Sequence, residues 1–161
     1  MKIAVIADTH ITSGVVPPGL LRIAGQADMV IHAGDLVQAA VLKELKSVCP
    51  DVRAVYGNMD GEELKAKLSA RLIIDLPGGI RIGVMHGWGA PAGLLDIVES
   101  EFRGKNVQIA VYGHSHQPSR VERNGVIYFN PGSPMDKVYA PYNSYGLIEI
   151  RNGVEARIVR I

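Results

Sequence analysis

The chain has 161 residues, of which 47% are hydrophobic and 20% charged, with a formal net charge of +1. This length and balance suit one folded domain with a real core, and the near-neutral charge without a basic run argues against an extended nucleic-acid surface. No apolar stretch reaches bilayer-spanning length, and the lone Cys49 has no partner for an intramolecular disulfide, so a reducing, cytoplasmic setting is expected.

In chain order, residues 2–7 form a short apolar run rich in β-branched side chains, the pattern of a buried strand. The run ends at Asp8 and is too short for the apolar core of a signal peptide. A loop containing Pro17-Pro18 leads to a short helix expected around Leu20–Gln26, then to a strand at Met29–Ala33. Val37, Val41, Leu42, Leu45 and Val48 recur at helical spacing, so a helix is expected over Val37–Val48, stopped by Pro50. Val52–Tyr56 reads as a third strand and Gly61–Leu68 as a short helix. This βαβαβα order argues for parallel strands with helices outside.

The second half changes character. Leu72–Leu76 and Ile80–Met85 flank Pro77-Gly78-Gly79 as a hairpin, Pro91–Phe102 reads as a helix, and Val107–Tyr112 as another buried strand. Four more strands follow: Ser119–Glu122, Val126–Phe129, Tyr145–Ile150 and Val154–Val159. Arg123-Asn124-Gly125 and Arg151-Asn152-Gly153 join them in pairs, and their Asn-Gly steps favour the positive φ of tight turns. With no repeat and no linker, residues 1–161 read as one α/β domain of two packed sheets with helices on the outer faces.

Four of the five histidines lie in Asp8-Thr9-His10, His86-Gly87 and Gly113-His114-Ser115-His116, with Gly34-Asp35 and Gly57-Asn58-Met59-Asp60 between them. The resulting set, Asp8, His10, Asp35, Asn58, His86, His114 and His116, contains imidazoles, carboxylates and one amide, which borderline divalent metals accept. Seven groups are too many for one tetrahedral ion but suit two ions sharing a carboxylate. Asp8, Asp35, Asn58, His86 and His114 each follow an apolar run, and strand ends are where open α/β sheets place their sites. Gly34, Gly57, Gly87 and Gly113 fit sharp turns there. In an extended segment the pairs Asp8/His10 and His114/His116 would face one side.

These motifs resemble those of the calcineurin-like metallophosphoesterase superfamily, and the short length with Asn130-Pro131-Gly132-Ser133 is similar to its small prokaryotic phosphodiesterase branch. The resemblance implies a four-layer α/β/β/α sandwich of two mixed β-sheets flanked by helices. It implies one metal held by Asp8, His10, Asp35 and His116, and another by Asp35, Asn58, His86 and His114. The implied cofactors are two divalent ions, manganese first, with nickel, iron, cobalt or zinc as alternatives. The implied reaction is hydrolysis of small phosphodiesters, nucleotides among the candidates, by a metal-bridging hydroxide. Asn58 would stabilise charge in the transition state, and no protein nucleophile is needed.

Met59 departs from the pattern, because many members carry a histidine there as general acid. General acid catalysis is typically worth about 10²–10⁴-fold, so activated esters are the expected substrates. Asp60 would buttress Asn58 or its turn. His32, three residues before Asp35, is expected to face away from the cleft as a hydrogen-bonded support, the alternative being a replacement proton donor. Asn130 is expected to support the histidine loops. Trp88 either flanks the site or caps the core, and Tyr139, Tyr142 and Tyr145 line a rim or an interface or simply pack. Two other functions stand beside the leading one. One is a protein-interaction module of the same fold, as in the retromer subunit whose metal ligands are degraded; the other is a phosphomonoesterase. A homodimer would be in keeping with the family.

Overall fold

A computed structural model of the chain describes residues 1–151 and 153–161. The first half lays down β1 (Lys2–Ile6), α1 (Pro18–Gly25), β2 (Met29–His32), α2 (Ala39–Val48), β3 (Val52–Ala54) and α3 (Glu62–Lys67). The second adds β4 (Arg71–Leu76), β5 (Ile80–Met85), α4 (Pro91–Phe102), β6 (Ile109–Val111), β7 (Ser119–Arg123), β8 (Val126–Asn130), β9 (Ser144–Ile150) and β10 (Val154–Arg160). The strands form two five-stranded sheets, ordered β10-β9-β1-β2-β3 and β4-β5-β6-β8-β7. Each contains a parallel run of three strands: β1-β2-β3 reaches one edge of its sheet with antiparallel β9 and β10 on the other side, and β5-β6-β8 is flanked on both sides by antiparallel β4 and β7. Both sheets are therefore mixed, and the architecture is the expected sandwich.

Strand alternation builds the layers. Ile3 and Val5 of β1 point between the sheets, where they pack with Ile31, Ile82, Val84, Ile109, Val111 and Phe129. Ala4 and Ile6 point outward to Leu20, Leu45 and Leu64 of α1, α2 and α3. On the other outer face, Leu94, Val98 and Phe102 of α4 cover Met85, Ala110 and Tyr128. Pro18 and Pro91 open α1 and α4 at positions whose N–H would be unpaired in any case. Cys49 ends α2 as a buried small residue. No helix among the described residues is long and apolar enough to cross a membrane.

Several boundaries differ from the sequence reading. The second helix starts at Ala39, not Val37, because Val37 adopts φ 73° and gives its amide to Asp60 Oδ1 at 2.6 Å. The third strand stops at Ala54, where its pairing with His32 ends. The buried strand expected over Val107–Tyr112 is ladder-paired only at Ile109–Val111. Asn124 (φ 51°) and Gly125 (φ 77°) form the left-handed hairpin turn that their dipeptide favours. In the other Asn-Gly turn, Asn152 lies outside the described residues.

Because β1, β2, β3, β5, β6 and β8 all run the same way within their sheets, their carboxyl ends collect at one edge of the sandwich. The connections leaving that edge carry Asp8, Asp35, Asn58, His86, His114 and Asn130.

Candidate metal centre

All seven side chains singled out by their chemistry meet at that edge. His10 Nε2 lies 3.1 Å from His116 Nε2 and 3.4 Å from Asp35 Oδ2. His86 Nε2 is 3.4 Å from Asp35 Oδ2 and 3.9 Å from Asp8 Oδ1. His116 Nε2 is 3.7 Å from Asp8 Oδ1. Asn58 Oδ1 sits 3.0 Å from both His86 Nε2 and His114 Nδ1. Two triads, Asp8-His10-His116 and Asp8-Asp35-His86, each hold their ligand atoms within 4.8 Å of one another.

The backbone that delivers them is not extended. Asp8 (φ 54°), His10 (46°), Asp35 (59°), His114 (70°) and His116 (58°) are all left-handed, so the paired residues converge because the chain curls. Aspartate and histidine tolerate this region better than most residues. Buried side chains hold the curls in place. Asp60 Oδ2 accepts the amides of Asp35 at 3.0 Å and Gly57 at 2.8 Å, which ties the two turns together. Gly57 lies so close to Asp35 that a Cβ there would come within 2.2 Å of Oδ1. Asn130 Nδ2 donates to Gly113 O at 2.9 Å and to Ser115 Oγ at 3.1 Å, bracing the histidine loop. Ser133 Oγ donates to Asp8 O at 2.7 Å.

The hydrogen bonds also set the histidine tautomers. His86 Nδ1 gives its proton to Ala33 O at 2.8 Å, His114 Nε2 to Gly89 O at 2.9 Å, and His116 Nδ1 to Asp136 Oδ2 at 2.6 Å. Carbonyl and carboxylate oxygens only accept, so the second nitrogen of each neutral ring presents a lone pair to the cluster. There it faces the Asn58 oxygen and the carboxylates, and in His116 the Nε2 of His10. Asp8 Oδ2 is buried with no hydrogen-bond partner among the described residues. Burial pushes the Asp8 carboxyl up to about 7, against the pull of His86 and His116. Burial alone would lower His86, yet Asp35 and Asp8 beside it raise it above its ordinary value. Asp35 stays below the usual carboxylate range because His86 and the Met59 amide outweigh its burial. Acceptors facing acceptors in this way fit divalent cations set among them.

His32 is fully buried, with Nε2 3.2 Å from Thr9 Oγ1, so it supports the Asp8–His10 turn and does not reach the cleft. Burial drives its pKa down to about 3, keeping it neutral. Two supports went unread in the sequence, Thr9 and Asp136. Asp136 accepts the amides of Val138, Tyr139 and Ala140 as well as His116 Nδ1. Although burial opposes ionisation, these donors hold its carboxyl at about 2. The available signal was Ser133-x-x-Asp136, a turn spacing directly after Asn130-Pro131-Gly132, together with the rule that a ligating histidine needs an acceptor behind it.

A cleft of about 900 Å³ opens over the cluster, walled by Met59, Pro91, Met135, Lys137 and Tyr139. The Met59 amide donates to Asp35 Oδ1 at 2.8 Å while its side chain is exposed on the rim. The tyrosines do not gather: Tyr139 meets the His116 ring edge-on at 5.9 Å, whereas Tyr142 lies under the Arg160 guanidinium. Trp88 is half-exposed and caps no core.

The model of the calcineurin-like phosphoesterase superfamily domain matches residues 1–153. The chain belongs to this superfamily. It is 32% identical over 139 residues to a probable metallophosphoesterase of Methanothermobacter thermautotrophicus, covering 83% of this chain and 77% of the relative. A phosphodiesterase of Methanocaldococcus jannaschii is 28% identical, with 82% and 83% covered. Among solved structures, wild-type Vps29 of Entamoeba histolytica complexed with zinc matches with a TM-score of 0.74 at 26% identity over 99% of both chains. Calcineurin-like phosphoesterases use divalent metals, in agreement with the donor set at the strand ends.

Proposed function

We propose that the chain is a dinuclear-metal phosphodiesterase acting on small phosphodiesters. The observation that carries this reading is the convergence of Asp8, Asp35 and the histidines on one cluster whose Asp8 Oδ2 is buried and has no hydrogen-bond partner among the described residues. Asp8, His10, Asp35 and His116 would hold one divalent ion, and Asp35, Asn58, His86 and His114 a second. Manganese is the metal to test first, with nickel, iron, cobalt and zinc as alternatives. When bound, such ions supply positive charge for phosphoryl oxygens and the acidity that makes water a nucleophile.

The remaining work falls to the chain. The Asn58 amide lies on the cleft wall, where its NH₂ can donate to a non-bridging phosphoryl oxygen. Ala33 O, Gly89 O and Asp136 keep three imidazoles in their ligating tautomers. Ser133 is buried and committed to Asp8 O, so it is no nucleophile. The Met59 thioether has no proton to give a leaving oxygen, which favours esters whose leaving groups depart as stable anions.

The likeness to a vacuolar protein sorting-associated protein of Schizosaccharomyces pombe, 29% identical over 140 residues, supports a second reading as an interaction module. Hydrolysis of bis(p-nitrophenyl) phosphate and p-nitrophenyl phosphate separates the two. We expect diester turnover with manganese, faster than monoester turnover, abolished by chelator and reduced roughly a thousandfold or more by Asp35→Asn. No turnover with any divalent metal would overturn the hydrolytic reading in favour of the second.

A further inference from the structure

We propose that a second cleft, beside Trp88, is the subsite for a planar aromatic arm of the substrate, such as a nucleobase carrying phosphate. The proposal rests on the phosphodiesterase reading and gives that site a substrate class. This cleft has a volume of about 550 Å³ and is lined by Tyr56, Asn58, Lys65, Arg71, His86 and Trp88. That size suits one small ligand. Asn58 also lines the larger cleft over the metal-ligand cluster, so the two clefts meet at the amide assigned to the phosphoryl group. A phosphodiester has two arms, and a phosphorus held at Asn58 has one cleft for each.

The chemistry of the smaller cleft selects its occupant. Trp88 is 51% exposed. A single exposed apolar residue needs no explanation, but this one shares a wall with two cations and with His86. Its place is fixed by its neighbours. Gly87 has φ +96°, and a Cβ there would meet Leu94 Cδ1 at 2.5 Å, so only glycine turns the chain outward at this point. On the other side, Gly89 O accepts the His114 Nε2 proton at 2.9 Å. The indole is thus carried on a segment tied at both ends to histidines of the cluster. An indole and two cations lining one cleft suit a flat ring bearing negative charge, which a nucleotide provides and an alkyl chain does not.

The two cations differ. Arg71 is engaged by Glu101, which neutralises it and fixes the cleft wall. Among the described residues Lys65 is paired only with Glu62, at 3.5 Å, and Glu62 is 94% exposed. A surface pair of that kind contributes little, so Lys65 is free to turn toward a phosphate. Recognition of the ring falls to Trp88 and recognition of its charge to Lys65.

Trp88 is the sole tryptophan of the chain, which makes its fluorescence a direct readout. Adenosine monophosphate, ribose 5-phosphate and inorganic phosphate are titrated against the full chain, with chelator and with manganese. We expect adenosine monophosphate to quench Trp88 emission saturably under both conditions, and the two ring-free phosphates to leave it unchanged. Equal quenching by all three, or by none, would overturn the proposal. In turnover of bis(p-nitrophenyl) phosphate, Trp88→Ala should raise KM roughly tenfold, the scale of one lost ring stack, with a much smaller change in kcat. Trp88→Phe, which keeps a flat face, should restore most of the KM. A fall in kcat without a rise in KM, or no rescue by phenylalanine, would count against the subsite. Base-dependent quenching without turnover by any metal would leave the subsite standing and remove the hydrolytic reading. Turnover without base-dependent quenching would do the reverse.

Discussion

At the carboxyl ends of β1, β2 and β6 the chain puts Asp8, His10, Asp35, His114 and His116 into left-handed backbone, whereas the turns at the far end of the sandwich give that conformation to Gly78, Gly79, Asn124 and Gly125. A left-handed residue with a side chain is disfavoured by roughly 1–2 kcal/mol. The far-end turns avoid most of this penalty through glycine and asparagine. The site-end turns accept it, because only residues with side chains can bring donor atoms to the cluster. Strain of this kind persists where the surroundings over-determine the backbone, and here Asp60, Asn130, Ser133 and Asp136 do so. The stability of the site end should therefore depend on those supports and that of the far end should not.

Asp60→Ala tests this most severely. It strips acceptors from the amides of Asp35, Val37 and Gly57, and unfolding by denaturant should show a loss of roughly 3–4 kcal/mol. A loss below about 1 kcal/mol would mean that the curls stand without their brace. Asp136→Asn comes next. His116 loses its anionic acceptor, and calorimetric titration with manganese should show affinity falling about 10–100-fold with the fold intact.

The third test uses pH. In the metal-free protein Asp8 keeps its proton up to about 7, against an ordinary value of 3.8. A raised carboxyl pKa favours the folded state below the ordinary value, and that advantage is lost as pH rises through 7. A cation that takes the carboxylate reverses the trend. The manganese-induced rise in Tm should therefore grow from about pH 5 to about pH 8, and a flat profile would remove Asp8 from the ligand set. The smallest effect belongs to the far end. Gly125→Ala introduces a Cβ with nothing within 4 Å but at φ +77°, so it should lower stability by about 1 kcal/mol and leave manganese affinity unchanged.

The same contrast explains what the sequence could disclose. Periodicity and proline placed α4 at its observed limits, Pro91–Phe102, because packing and helix-start chemistry agree there. The Asn124-Gly125 turn was legible because its conformation is written in its residue types. The residues of the cluster could be picked out by type and order, but the way they meet could not. A spacing of two suggests an extended strand, and nothing local distinguishes that from paired left-handed residues held by Ser133 or Asn130 more than a dozen residues away in the chain. Val37 shows the same limit: its side chain fits the helical spacing, while a contact from Asp60 excludes it from the helix. Asp136 was missed because its partner, His116, lies on a different connection.

The strand order carries a consequence for how the molecule comes into being. β1 is made first, yet its neighbour on one side is β9, with Ala4 opposite Leu147. Asp8 waits similarly for the His114 amide, 106 residues later, and for the Ser133 hydroxyl, 125 residues later. A chain emerging from the ribosome thus carries Asp8, His10 and Asp35 long before His86, His114 and His116, and contacts so distant in sequence close late and slowly. If the cluster holds metal as proposed, capture waits until the later connections and β9 are in place, so a nascent or truncated chain lacking them should be unable to retain the metal.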